Sequence, residues 1–181
     1  QTCALPIYRL MAWGAGEDSR IVFEDNHLSL FSINPANGDI NKIATGERRE
    51  QVDISISPDG KWLAYTQEQL NYNRDLVLYN FASGESTTLT DGAADVASPA
   101  FSSDGKYLYF AASTNSGPIQ VGLNMTSQER PYRAALYAMV LAADGKSPLL
   151  PESGDEEGAG DEKDKEGKEE KDEKAKEEKD E

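Results

Sequence analysis

Cysteine and histidine are nearly missing from these 181 residues, with one of each, Cys3 and His27. A single thiol excludes an internal disulfide and any thiolate-built metal centre. A single imidazole means that any histidine-dependent nucleophile or zinc site would have to use His27. Positive charge is also scarce: 18 Lys and Arg stand against 33 Asp and Glu, a formal net charge of −15. Phosphate recognition needs clustered cations, so nucleic acid is excluded as a natural partner, and an anionic membrane surface with it. No apolar run approaches the roughly 18 residues of a membrane-crossing helix. The N-terminus carries no basic-then-apolar leader and does not begin with Met.

The two ends differ from the middle. Residues 1–7, Gln1-Thr2-Cys3-Ala4-Leu5-Pro6-Ile7, back-translate to CAGACGTGTGCTCTTCCGATC and read as sequencing-adapter read-through. On that reading native sequence starts near Tyr8 and Cys3 is an artefact. Residues 152–181 hold 16 acids and 7 lysines, a net of −9, among Gly and Ala. Pairs such as Glu170–Lys174 and Asp172–Lys176 have helical spacing. With no apolar face the segment cannot dock by burial, so it reads as a solvated insert, part helical at most. It stops inside a charge run, and the chain reads as cut at both ends.

Between these ends the sequence repeats. Ser57-Pro58-Asp59-Gly60-Lys61-Trp62-Leu63-Ala64-Tyr65 is echoed 45 residues later by Ser102-Ser103-Asp104-Gly105-Lys106-Tyr107-Leu108-Tyr109-Phe110. A second element, Leu76-Val77-Leu78-Tyr79-Asn80-Phe81-Ala82-Ser83-Gly84, resembles Leu136-Tyr137-Ala138-Met139-Val140-Leu141-Ala142-Ala143-Asp144-Gly145. An earlier copy is Leu28-Ser29-Leu30-Phe31-Ser32-Ile33, ending in Asn37-Gly38. The Phe31-to-Tyr79 offset is 48 and the Tyr79-to-Tyr137 offset 58, so the last repeat carries about 13 extra residues.

A period of about 40–50 residues with four strands per unit is the signature of a β-propeller. Asp59-Gly60 and Asp104-Gly105 supply the positive φ that a tight hairpin needs. Residues 62–66, 76–81 and 107–112 are apolar at nearly every position. Strict alternation would leave one face wet, whereas continuous apolarity means that both faces are covered. The expected fold is therefore all-β, a partial propeller of two four-stranded antiparallel blades plus part of a third, over residues 8–151. One blade is placed at 52–57, 61–67, 75–81 and 85–90, and the next at 97–102, 106–113, 134–141 and 146–150. Residues 20–44 supply the last three strands of a preceding blade. Because closed propellers have about 4–8 blades, such a stack leaves apolar faces and edges open, and the isolated chain is expected to be unstable or insoluble.

No catalytic, cofactor-binding or metal-binding residue is assigned. His27, beside Asp25 and Asn26 and with no Gly-x-Ser-x-Gly elbow in the chain, reads as a turn residue. The Asp-Gly pairs lack the alternating acids and terminal Glu of a calcium loop. Asn124-Met125-Thr126 is a glycosylation triplet, meaningful only in a secreted eukaryotic chain. Trp62, Tyr65, Tyr79, Tyr107, Tyr109 and Phe110 sit on strands and read as blade core rather than a ligand cage. Residues 114–133 form a long excursion whose Glu129, Arg130 and Arg133 read first as an ion pair tying the loop to its own blade, with a carboxylate clamp as the alternative.

The motif at 57–65 resembles the repeats shared by TolB, prolyl oligopeptidases and tricorn proteases. Three further features resemble bacterial tricorn-like proteases of the tail-specific peptidase class. These are Gly122-Leu123-Asn124-Met125-Thr126-Ser127-Gln128-Glu129-Arg130-Pro131, Ala135-Leu136-Tyr137-Ala138-Met139-Val140-Leu141, and Ser147-Pro148-Leu149-Leu150-Pro151-Glu152-Ser153 before the charged insert. That resemblance implies a large, homo-oligomeric, cytoplasmic serine peptidase (periplasmic in the alternative) acting on peptides and unfolded proteins. Its nucleophile and histidine would lie in a later region, and its propeller would gate substrate access. A TolB-like protein-binding propeller and a prolyl oligopeptidase propeller are the rival implications.

Overall fold

The computed structural model describes residues 7–14, 19–46, 52–115 and 133–148. The chain divides into two units, Gln1–Gly145 and Lys146–Glu181. Of the second only 146–148 are described, and they form no strand. The first unit contains eleven strands and no helix among the described residues, in three antiparallel sheets.

The first sheet is a meander of β1 (Tyr8–Trp13), β2 (Ile21–Asp25), β3 (Ser29–Ile33) and β4 (Ile40–Thr45). The second runs β5 (Ile54–Ile56), β6 (Trp62–Glu68), β7 (Arg74–Asn80) and β8 (Ser86–Thr88). The third has three strands, β9 (Asp95–Phe101), β10 (Tyr107–Ser113) and β11 (Ala135–Val140), with β10 in the middle. Two four-stranded sheets and a three-stranded one match the expected count, but their distribution differs from it. The preceding blade is complete, because β1 pairs with β2 from Tyr8↔Asp25 to Trp13↔Ile21. Nothing in Gly14-Ala15-Gly16-Glu17-Asp18-Ser19 repeats the Ser-x-Asp-Gly turn, so β1 carried no repeat signal. Conversely, a fourth strand over 146–150 is absent in its described part, 146–148, where Pro148 has no N–H to give a ladder.

The second sheet lies between the other two. Leu63, Tyr65, Val77 and Tyr79 project from one face and pack with Val22 and Leu30 of the first sheet. Ala64 and Leu76 project from the other and pack with Val96, Leu108, Phe110 and Ala112 of the third. Successive side chains in a strand point to opposite faces, so a strand covered on both sides must be apolar at odd and even positions alike. The pairing keeps each set together, with Leu63 opposite Tyr79 and Tyr65 opposite Val77. Burying each such side chain contributes about 1.5–3 kcal/mol.

The two outer faces have no sheet against them among the described residues. On the first, Tyr8 packs edge-on against Phe23, and Phe23 stacks on Phe31. On the third, Tyr107 and Tyr109 lie 6.2 Å apart between centroids, and Leu136 is 86% exposed. The first strands of successive sheets, β1, β5 and β9, run side by side.

Candidate functional site

The seam between the second and third sheets has a polar structure at each end. At one end lie the two repeated turns. Ser57 Oγ donates to Asp59 Oδ1 (2.5 Å), which also accepts the Lys61 N–H, while Ser57 Oγ accepts the Trp62 N–H. The second turn reproduces every one of these bonds with Ser102, Asp104, Lys106 and Tyr107. Gly60 (φ 72°) and Gly105 (φ 70°) take the left-handed conformation that closes each turn. The serine hydroxyl, aided by the backbone N–H two residues on, holds both aspartate carboxyls below the ordinary carboxylate value. Partial burial of Asp59 works against this but is outweighed by the serine bond. Both are therefore anionic at neutral and mildly acidic pH.

Between the two turns runs a groove of about 400 Å³, floored by Trp62, Leu78, Phe101 and Leu141, with Asp59 and Asp104 on opposite lips. Lys61 Nζ reaches Asp59 Oδ2 at 4.0 Å and Lys106 Nζ reaches Asp104 Oδ2 at 3.8 Å. Both lysine side chains are well exposed, at 62% and 71%.

At the other end an ionic tie joins the sheets. Arg74, at the start of β7, grips Asp95 with two parallel bonds, Nε to Oδ1 and Nη2 to Oδ2, both 2.9 Å. The Arg74 backbone N–H adds a third at 3.1 Å. The Asp95 side chain is wholly buried and that of Arg74 only 15% exposed. Arg74 Nη1 also lies 3.7 Å from Asp53 Oδ2. That same oxygen accepts the N–H of Ser98, a residue at φ 53° where the β9 ladder shifts register. One bond further along, Ser55 Oγ accepts the Phe101 N–H. The first strand of one blade thus holds the first strand of the next through side-chain oxygens. The linker between the blades is pinned too: buried Asp75 accepts from Thr90 Oγ1 (2.8 Å) and the Gly92 N–H (2.6 Å).

Of the residues weighed from sequence, His27 is exposed, its ring 3.7 Å from Asp25 Oδ2. Asp25 accepts the N–Hs of Ser29 and His27, and the Ser29 bond first of all lowers its pKa below the ordinary carboxylate value. This is turn chemistry. Tyr65, Tyr79 and Phe110 are core as expected. Trp62 instead floors the groove, and Tyr109 is largely on the open face. No group of three His, Cys, Asp or Glu able to hold a metal occurs among the described residues. Asn124, Glu129 and Arg130 lie outside the described residues, and Arg133 is exposed just ahead of β11. Arg74, Asp53 and Asp95 were not singled out from sequence. Their one signal is a charge abutting a fully apolar strand, as in Arg74-Asp75-Leu76-Val77-Leu78.

No family model matches the chain. The curated dipeptidyl-peptidase 5 of Porphyromonas endodontalis is 33% identical over 76 residues, covering 38% of this chain and 11% of that protein. Among solved structures the tricorn protease matches with a TM-score of 0.56 at 17% identity, over 77% of this chain and 14% of its own. TolB from Acinetobacter baumannii reaches 0.49 at 16% identity, over 77% of this chain and 31% of its own. The chain thus spans a third or less of each of these three proteins. At these identities the structural likeness speaks for the fold alone, and it is the tricorn match that carries it. Three antiparallel meanders packed face to face, first strand beside first strand, and that likeness to the tricorn protease make this chain a run of β-propeller blades.

Proposed function

We propose that the chain is the non-catalytic propeller portion of a tricorn-like serine peptidase, cytoplasmic and homo-oligomeric, in which the propeller governs which polypeptides reach the active site. One observation carries the reading. The sequence likeness to a dipeptidyl-peptidase falls on a chain whose fold likeness is to the tricorn protease, and the three sequence features at 122–131, 135–141 and 147–153 point the same way. The mechanism is sieving. An extended peptide fits a narrow polar passage and a folded domain does not, so a peptidase behind the passage acts on unfolded chains and spares folded ones.

The test is a complete reading frame followed by deletion of these blades from the whole enzyme. The intact protein should cleave an unfolded substrate and spare its folded counterpart, and the deletion should cleave both. Unchanged selectivity would refute gating. A frame with no peptidase region would assign the chain to a TolB-like binding module. A downstream Gly-x-Ser-x-Gly elbow would assign it to a prolyl oligopeptidase-type enzyme.

A further inference from the structure

From the groove between the two Ser-x-Asp-Gly turns, we infer that the seam between the second and third blades is a docking slot for a basic, apolar peptide segment, one that seats an aliphatic side chain on the floor and a Lys or Arg between the two lips. The shape argument comes from the floor. Trp62, Leu78, Phe101 and Leu141 line about 400 Å³ of space, and Leu78, Phe101 and Leu141 are backed by the buried cluster of the seam. Further along the seam Leu76 and Ala64 are buried in one cluster with Val96 and Leu108, and beyond them a second opening of about 510 Å³ is lined by Leu89, Val96, Phe110 and Tyr137. An apolar floor with a few fixed polar groups at its edge is the ordinary make-up of a site that takes an apolar ligand group in one orientation.

The charge argument comes from the lips. Each aspartate commits Oδ1 to its own turn, to a serine hydroxyl and a backbone N–H. Oδ2 of each is left to face the exposed lysine that follows. Those lysines stand at 4.0 and 3.8 Å on flexible, solvated stems, and a contact of that kind is displaced at little cost. A cation arriving on a peptide meets two carboxylates held in place by their turns, with Trp62 in the same lining, an environment that favours a guanidinium or ammonium. The field of the chain, at a net −15, draws cationic partners and repels acidic ones. The inference does not depend on the peptidase reading, because the slot is formed by the blades themselves.

The binding assay uses the 181-residue chain at sub-micromolar concentration, with Trp13→Phe so that Trp62 is the only indole. The probes are two blocked peptides of alternating sequence, Leu-Lys-Leu-Lys-Leu and Leu-Glu-Leu-Glu-Leu. The basic peptide should change Trp62 emission saturably, more weakly as salt is raised, and the acidic one should not. Asp59→Asn with Asp104→Asn keeps the Oδ1 acceptor for each turn and should weaken the basic peptide about tenfold. Lys61→Ala with Lys106→Ala touches only exposed stems and should tighten it several-fold. Equal response to both peptides, or indifference of the affinity to both pairs of substitutions, overturns the inference. So does an emission change that appears without peptide as chain concentration is raised and is lost in the Asp59→Asn, Asp104→Asn chain, which would give the groove rather than the outer faces to a second copy.

Discussion

Replacing Arg74 by methionine keeps the length of the side chain and removes its charge. Asp95 is wholly buried and loses two of its three hydrogen bonds, keeping only the Arg74 backbone N–H. Asp53 loses its cation at 3.7 Å as well. Breaking a buried pair from one side costs about 3–5 kcal/mol, because the remaining carboxylate is left in a poorly solvating interior. Whole domains are stable by only about 5–15 kcal/mol, and a stack with two open faces belongs at the low end. With a urea slope of about 1–3 kcal/mol/M, the unfolding midpoint read by tryptophan emission should fall by about 2 M. Asp95→Ala alone should be milder, because Arg74 at 15% exposure can still reach water and Asp53. The double variant should be far less unstable than the sum of the two, with a coupling of about 2 kcal/mol. If the single variants each cost under about 1 kcal/mol and simply add, the tie between the blades contributes nothing to holding them together and the argument for it fails.

Asp75→Ala strips the partner from the Gly92 N–H and the Thr90 hydroxyl, should cost about 1–3 kcal/mol, and should speed hydrogen exchange at Gly92 more than at Leu63. Leu63→Ala, in the covered face of the middle sheet, should cost about 2–5 kcal/mol, whereas Leu136→Ala on the open face of the third should stay within about 0.5 kcal/mol; matching midpoint shifts for the two would contradict the packing described. Asp59 and Asp104 have lowered pKa values in the folded chain, so their stabilisation is fully present above the unfolded aspartate value of about 3.9 and is lost as pH falls through the lower folded value. Stability should therefore be insensitive to these two groups from pH 7 to about pH 5, and the pH dependence below about pH 4 should diminish in the Asp59→Asn, Asp104→Asn chain. The open aromatic faces around Phe23 and Tyr109 predict self-association of the isolated chain, measurable by sedimentation, and a cooperative thermal transition as a stable monomer would refute it.

The fold was legible in the sequence wherever a turn was spelled twice. Ser57-to-Gly60 and Ser102-to-Gly105 announce both hairpins because hydroxyl, carboxylate and glycine are each required at a fixed place. The unbroken apolar run at Leu63-Ala64-Tyr65 announces a strand covered on two sides. Strand β1 was illegible because its turn is not a copy and its residues Leu10 and Trp13 are exposed. The Asp53–Arg74–Asp95 tie was illegible for another reason: its members come from β7, β9 and the residue just ahead of β5, and sequence carries no record of which charges face each other across a seam. The groove follows the same rule. Trp62 reads as one more core aromatic until the neighbouring turn is set beside it in space.

The side-chain grip of β5 on β9 has a consequence for how such a chain changes over time. Among the described residues the third blade answers to the second through Asp53 and Ser55 on one side of the joint and Ser98 and Phe101 on the other. Damage at one joint is therefore confined to two blades, and a duplicated unit that keeps these four positions can be spliced into the row without redesigning the rest. Length, on this plan, is a cheap variable for the lineage, and novelty can accumulate in single loops while the joints stay fixed.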